Sequence, residues 1–472
     1  MGWVLCAFLA GACGSDSQPN LVLDAAADGP RDLVLASDAS DAAGTEVTSD
    51  VDATGPDAAG VTGARVVIET SGAAGELHAL GQLLFYADAI EVRAIVVPGP
   101  TARTRVESLL AAYGEAWPAL QRHGRYPEPA GLRAKIVMAG DEASGQAAAA
   151  TLSSATGDGQ PLHWLGFASG TPALRRALDH LRETGTPAST RVRNAQLRVH
   201  AFDVGETLEP HTAELGQVLD FGSLAAADQR AAAVFGPVAR DATNAGPLGR
   251  HLVALAETND LAGAGAAWLT VLPLLPGSPT VPSEPGWGSW GGRFVPLRDN
   301  LPNVFVPAPS DVWMTLTGPS ASVARFALAA MADLRAHLSR ETSSTANVPP
   351  VPNAIVTDAA GRVLAPLGAG PLETNEGATL LFDVGAGAVL TLDASASVDP
   401  DGTVAALTWS HHREASRFPG DVVLVPASPT RARLELPVRL AEQQTVHVFC
   451  EVSDSGLPTL IRHRRLVFRR SR

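Results

Sequence analysis

An alternation of β-branched runs with helical repeats constrains the fold of this chain more than any other feature. Residues 65–70 and 90–97 are apolar enough for buried strands, and between them Leu77, Leu80 and Leu84 recur at helical spacing. The alternation then continues through strand-like runs at 135–138, 162–167, 197–202 and 232–235, with a helix over 172–183. Strands that alternate with helices predict an α/β domain with a mainly parallel, Rossmann-like sheet covered on both faces.

The site of such a domain is predicted by its topology. Ligands bind in the crevice at the carboxyl ends of parallel strands. We therefore expect the functional residues to lie within 70–78, 98–103, 168–172 and 203–207.

The last quarter of the chain has a different pattern. Residues 342–349 have the composition of a linker, and residues 350–472 contain short strand-like runs separated by turn residues. These runs lie at 379–382, 388–392, 405–409, 421–425, 431–436, 445–452 and 464–468. They predict an all-β, antiparallel, immunoglobulin-like sandwich, in which the arginines near the end alternate with apolar residues on a final strand.

The first 62 residues predict export and a tether. Residues 1–13 form an apolar segment too short to span a bilayer, and 9–13 resemble a lipobox in which Cys13 would take a lipid. A cleaved secretory signal with an incidental cysteine is the alternative. Ten acidic residues against Arg31 then predict that 14–62 is a disordered acidic linker. We therefore expect a lipid-anchored protein of the cell envelope, at the periplasm or the cell surface.

Charge and cysteine content exclude some functions. Most of the formal net charge of −14 lies in the acidic linker, and no basic patch with interleaved aromatic residues occurs, so nucleic acid is not an expected partner. Three cysteines in all, Cys6, Cys13 and Cys450, cannot build a disulfide framework or a CxxC metal site. The residues predict no oligomeric state.

Several segments in the same order resemble a known family. They are 84–95, 123–127, 164–171, 286–294 and 397–402 followed by Trp409 and 413–415. The family consists of exported bacterial proteins with a nucleoside-hydrolase-like domain followed by an immunoglobulin-like domain, and one member is described as cellulose-binding. The resemblance covers about residues 64–472. Residues 393–402 also resemble a loop of PKD modules, which holds calcium or, as we favour, forms a hydrogen-bonded turn.

The resemblance implies a nucleoside hydrolase site that has lost most of its carboxylates. Such enzymes carry Asp-Thr-Asp-x-x-x-Asp-Asp after the first strand, which binds calcium and activates water. Here that motif falls on 69–76, with Ser71 and Gly75 in place of aspartates and Glu76 as the surviving final carboxylate. An expected asparagine falls at Pro172 and a late acidic position near Ala264. Calcium at Glu76 is conceivable on this pattern, but no cofactor is expected with a site so reduced.

The remaining candidate residues each have two interpretations. Glu76 and His78 are candidate catalytic residues, with Glu206 as a further acid, or they are a dipole-favoured first-turn residue and a solvated histidine. Thr70, Ser71 and Thr171 are candidate ligand contacts. Trp287, Trp290 and Arg293 form either a sugar-stacking platform or a packing motif. The pair at 411–412 could ligate a metal, although surface histidines are favoured.

Three functions are consistent with these residues. The first is saccharide or glycoside binding without efficient catalysis, and the second is a hydrolase of N- or O-glycosyl bonds with a remodelled site. The third is a structural surface protein. Glycoside cleavage ordinarily requires two carboxylates, so the losses at Ser71 and Gly75 favour the first.

Overall fold

The computed structural model describes nine stretches of the chain. They are residues 63–140, 142–156, 159–222, 246–257, 261–298, 300–308, 322–367, 379–442 and 444–470. The predicted signal segment, Cys13, the acidic linker and the strand expected at 232–235 lie outside them. No helix within the described stretches is long and apolar enough to cross a bilayer.

The first part of the chain builds an eight-stranded sheet. Its strands are β1 (Arg65–Glu69), β2 (Glu91–Val97), β3 (Ile136–Met138), β4 (Leu162–Ser169), β5 (Leu197–Phe202), β6 (Gln217–Asp220), β7 (Phe294–Arg298) and β8 (Leu301–Pro307). They lie in the order β3-β2-β1-β4-β5-β6-β8-β7. Neighbouring strands are parallel except β7 and β8, so the predicted mainly parallel sheet is confirmed.

Helices cover both faces of this sheet. They are α1 (Ala74–Leu84), α2 (Pro100–Leu120), α3 (Pro129–Ala134), α4 (Glu142–Ala155), α5 (Pro172–Thr184), α6 (Pro187–Gln196), α7 (Val204–Thr207), α8 (Pro247–Glu257), α9 (Leu261–Val271) and α10 (Ser322–Ser339). Successive residues of a strand point to opposite faces. Accordingly, Val67 packs in the core beneath α4 and α5, and Ile68 packs in the core beneath α1, α2 and α9.

The order of the strands fixes a switch point. The chain runs from β1 outward to β2 and β3, then returns to place β4 on the other side of β1. The carboxyl ends of β1 and β4 therefore open a crevice between loops that leave in opposite directions. This crevice brings the turn after β1 beside the turn after β4, where candidate site residues were predicted.

The C-terminal part contains two four-stranded sheets with a shared core. The strands are β9 (Ile355–Asp358), β10 (Thr379–Val384), β11 (Val389–Asp393), β12 (Val404–His411), β13 (Val423–Pro426), β14 (Arg431–Glu435), β15 (Thr445–Asp454) and β16 (Ile461–Arg470). One sheet has the order β10-β16-β15-β12 and the other β13-β14-β11-β9. Leu392, Leu434, Val448 and Phe468 from both sheets meet in one cluster. The sandwich differs from the expected antiparallel arrangement in one respect, because β10 and β16 pair in parallel.

The outer face of the β15–β16 pair packs against the α/β domain. Phe449 on β15 lies edge-to-face on Phe326 of α10, with ring centroids 5.3 Å apart. Arg462 on β16 donates to Asp333 of α10 at 2.6 Å, and both side chains are buried. Because these contacts are buried, the two domains stabilise one another.

Candidate functional site

The turn after β1 holds the surviving carboxylate of the motif in a closed set of hydrogen bonds. Glu76 Oε2 accepts from the Thr70 hydroxyl at 2.7 Å and from the Ser71 N–H at 2.6 Å. Glu76 Oε1 accepts from the Ser71 hydroxyl at 2.8 Å. Both oxygens are thus engaged by the turn itself. Thr70, Ser71 and Glu76, three predicted site residues, are brought together at the crevice.

The carboxylate at the start of the motif serves a different purpose. Glu69, the last residue of β1, is buried and accepts from Trp164 Nε1 at 2.9 Å and from the Ala173 N–H at 2.7 Å. It also accepts from the Leu174 N–H at 3.3 Å, so it caps the N-terminus of α5. Burial raises the pKa of Glu69 although these donors oppose the shift. Glu69 therefore ties β1, β4 and α5 together, a role not foreseen from the sequence.

The turn after β4 has an unusual backbone. Thr171 has φ 40° and ψ 58°, in the left-handed region, and it precedes Pro172 at the first position of α5. Its hydroxyl is buried and has no hydrogen-bond partner among the described atoms. Because Glu69 already caps α5, Thr171 is not used for that purpose. Pro172 supplies no donor here, and Ala264 is a buried residue of α9.

His78 lies inside the domain. It is only 3% exposed, so the alternative of a solvated histidine on a helix face is wrong. Burial lowers its pKa to about 4, with Gln82 opposing the shift. The neighbouring leucines of α1 place it in the core, away from the hydroxyl cluster around Glu76. At neutral pH it is an uncharged imidazole.

Two further carboxylates end neighbouring strands. Asp203 follows β5 with φ 51°, and Asp220 is the last residue of β6. A β-carbon on Gly222 would lie 2.4 Å from Asp203 Oδ1 and 2.9 Å from Asp220 Oδ1. The two carboxylates therefore converge on this glycine. Asp203 fell within a predicted range, whereas Asp220 was missed because β6 is a four-residue strand with no clear alternation. The side chain of Glu206 is not among those that the structure describes.

These residues do not fit the calcium site of nucleoside hydrolases. Calcium takes six to eight oxygen ligands, usually with several carboxylates. At the turn after β1 one carboxylate remains, and its oxygens already accept three hydrogen bonds. In the part of the chain that the structure describes, no group of three or more His, Cys, Asp or Glu side chains could hold a metal ion.

The tryptophan loop, residues 286–294, lies between the domains. Trp287 and Trp290 are 7% and 1% exposed. The Trp287 ring contacts His447 edge-to-face at 4.9 Å, and the Arg462 guanidinium lies 5.9 Å from the centre of the Trp290 ring. Half-buried Arg293 faces Glu414, whose charge opposes the lowering of the Arg293 pKa by burial. This burial favours the packing alternative over a sugar-stacking platform.

The sequence favoured a surface position for the paired histidines at 411–412, and this prediction is wrong. His412 is fully buried, with Nε2 3.2 Å from Glu414 Oε1, because α10 covers it. Half-buried His411 contacts the Ser416 hydroxyl at 3.0 Å.

The loop at 393–402 forms hydrogen-bonded turns. Asp393 Oδ1 accepts from the Ser395 N–H at 2.9 Å, and the Ser397 N–H donates to the Ala394 carbonyl at 3.0 Å.

Comparison with known proteins agrees with this architecture. Residues 389–470 match the family model described as cellulose-binding protein Sde0182, C-terminal domain. A solved structure of a nucleoside hydrolase-related hypothetical protein from Saccharophagus degradans, described as associated with carbohydrate metabolism, has a TM-score of 0.67. It is 22% identical, and the match covers 87% of this chain and 100% of the other. No curated protein matches the sequence. The chain therefore shares its fold with a nucleoside-hydrolase-related protein and ends in a segment matching that cellulose-binding family, as the sequence resemblance predicted.

Proposed function

We propose that this protein binds a saccharide and does not hydrolyse glycosyl bonds efficiently. The observation that carries the proposal is the closed turn at Glu76. Both oxygens of this carboxylate accept hydrogen bonds from Thr70 and Ser71, three in all, so about three of its four lone-pair sites are already occupied. A general base instead needs an unoccupied lone pair within hydrogen-bonding reach of the water whose proton it abstracts.

The choice of ligand follows from the relatives. The family matched by residues 389–470 is named for cellulose binding, and the neighbour of similar fold is described as associated with carbohydrate metabolism. A saccharide is the ligand class that both descriptions share. In this proposal the α/β domain keeps the shape of a glycosyl-bond hydrolase and has lost its metal-binding chemistry.

The cellular setting in the proposal rests on the sequence. An apolar segment ending in Cys13 and an acidic tether suit a lipid-anchored protein of the cell envelope. There the protein would hold polysaccharide fragments close to the membrane. Labelling of wild type and Cys13→Ser with an alkyne fatty acid tests this, and equal labelling of both would contradict it.

Binding and turnover should be measured on the same preparation. The purified full chain is incubated with microcrystalline cellulose, and release of free sugar is assayed from nucleosides and p-nitrophenyl glycosides with and without calcium. We expect retention on cellulose and no release above buffer. Calcium-dependent turnover that is abolished by Glu76→Gln would overturn the proposal. Neither retention nor turnover would instead support a structural surface protein.

The pair Asp203 and Asp220 favours a second candidate, a glycosidase with a relocated site. Two carboxylates that approach a common point are the minimum for acid–base cleavage of a glycoside. Turnover of any glycoside that survives Glu76→Gln but is lost in both Asp203→Asn and Asp220→Asn would establish it. Glu183→Gln, at an exposed position of α5, is a matched control that should leave the rate unchanged.

A further inference from the structure

A cavity opens at the edge of the large sheet opposite the predicted crevice. It has a volume of about 300 Å³, at the lower end of the range for small-ligand pockets. The amino ends of β5, β6 and β8 contribute its wall, together with the segment before the tryptophan loop. Its polar and aromatic lining comes from Arg198, Gln217, Ser283, Asn303 and Phe305.

Two amide side chains of this cavity are fixed in orientation. Asn303 Nδ2 donates to the carbonyls of Thr212 and Leu215, the latter at 2.8 Å. Gln217 Nε2 donates to the Pro282 carbonyl at 2.6 Å. Since the nitrogen of each amide is committed to backbone, the oxygen of each is presented as an acceptor. The cavity thus has two amide oxygens left as acceptors, on the neighbouring strands β6 and β8.

The remaining lining supplies donors and an apolar surface. Arg198 carries a guanidinium with several N–H donors in one plane, and Phe305 adds an aromatic side chain that packs on the core behind it. A sugar ring presents hydroxyls that both donate and accept, and it has apolar C–H faces that pack on aromatic rings. Amide oxygens, a guanidinium and an aromatic side chain together match that chemistry.

The two histidines behind the cavity carry no charge at neutral pH. A smaller pocket of about 20 Å³ shares Gln217 and Pro282 with it and is lined by His163 and His200. Their rings are joined by a 3.2 Å contact between His163 Nδ1 and His200 Nε2. Burial lowers the pKa of both, that of His200 to about 3, so neither adds positive charge. An anionic ligand would be repelled by the two amide oxygens and attracted by one guanidinium, that of Arg198.

We propose that the cavity bounded by Arg198, Gln217, Asn303 and Phe305 binds one neutral sugar unit of the saccharide. This inference rests on the proposed function and gives it a location. It separates the binding site from the crevice at Glu76, which lies at the carboxyl edge of the same sheet.

The test is isothermal titration of the purified full chain with cellopentaose, in wild type and two variants. Arg198→Met keeps the aliphatic stem and removes the guanidinium, and Ser283→Leu adds bulk at an exposed position of the wall. We expect Arg198→Met to weaken binding by about ten-fold, as for loss of a charged hydrogen bond. Ser283→Leu should also weaken binding, because the added side chain obstructs the cavity. Arg191→Met and Ala188→Leu, on the exposed side of α6, are matched controls that should bind like wild type. Melting temperatures verify that each variant is folded.

The outcomes distinguish the site from the function. If Arg198→Met and Ser283→Leu bind cellopentaose like wild type, the cavity is not the site, and saccharide binding stands. If wild type is retained on insoluble cellulose but does not bind cellopentaose, the cavity proposal is overturned alone. If wild type binds neither, both proposals fall. Tighter binding of a galacturonate oligomer than of cellopentaose would contradict the neutral ligand.

Discussion

Buried histidines should make this fold sensitive to mild acid. Burial lowers the pKa of His78, His337 and His412 to about 4 and that of His200 to about 3. In the unfolded chain each returns to about 6.5. The perturbation we consider is a decrease in pH from 7.5 to 5.

The sign follows from which state binds more protons. Between pH 6.5 and about 4 the unfolded chain is protonated at these histidines and the folded chain is not, so the free energy of unfolding decreases as the pH falls. Each group costs about 2 kcal/mol by pH 5, and four together cost roughly 8 kcal/mol, which is comparable with the whole stability of a typical domain. Burial raises the pKa of Glu69 and Glu341, which has the opposite sign and offsets part of this loss.

Urea unfolding at constant ionic strength, from pH 7.5 to 5, measures the effect. Its slope against pH near 5.5 should correspond to about three to four protons taken up on unfolding by these four histidines, less the contribution of the two glutamates. His163, His447 and His463, whose pKa burial also lowers, should add to this uptake. His200→Gln should reduce the uptake by about one proton. A free energy of unfolding that is constant between pH 7.5 and 5 would refute the reasoning.

Three further predictions concern buried groups. Arg462→Met should destabilise the protein by about 3 to 5 kcal/mol, since it leaves the Asp333 carboxylate buried without its cation. The double variant Arg462→Met/Asp333→Leu should recover part of this loss. Urea unfolding of both variants measures the recovery, and no recovery would mean that the pair is not coupled. Trp290→Ala should cost about 3 to 5 kcal/mol by loss of packing, and a change below 1 kcal/mol in the same assay would contradict its burial. Burial raises the pKa of Cys450 to about 12, so its thiol should react with DTNB at pH 8 only after denaturation.

The strands that the sequence predicted share a local signal. β1, β2, β4 and β5 are buried along most of their length and rich in apolar residues, so they can be recognised without their neighbours. β6 is too short for a pattern, and β8 contains Pro302 and Asn303 at the edge near solvent. Its place beside β6 depends on long-range pairing that no local window contains.

The sequence predicted where the candidate site lies better than it predicted what the site residues do. The crevice after β1 and β4 follows from topology, and Thr70, Ser71 and Glu76 do meet there. The capping of α5 by Glu69 joins residues about a hundred positions apart, which spacing cannot reveal. Likewise His412 was assigned to the surface because the sequence does not show that α10 covers that face of the sandwich.

The turn after β1 allows a direct test of the proposal that a metal site has been lost here. The Ser71 hydroxyl and N–H now satisfy Glu76, whereas an aspartate at 71 would face it with like charge. Ser71→Asp/Gly75→Asp should therefore lower stability by about 1 to 3 kcal/mol without calcium, through lost hydrogen bonds and repulsion. Calcium in the millimolar range should reverse much of that loss in the variant and leave the wild type unchanged, because only the variant has three carboxylates in this turn. Melting curves with calcium and with EDTA measure both effects. A variant as stable as wild type in EDTA would mean that the hydrogen bonds from Ser71 do not stabilise Glu76. The proposal that these hydrogen bonds replace a lost metal ion would then be wrong.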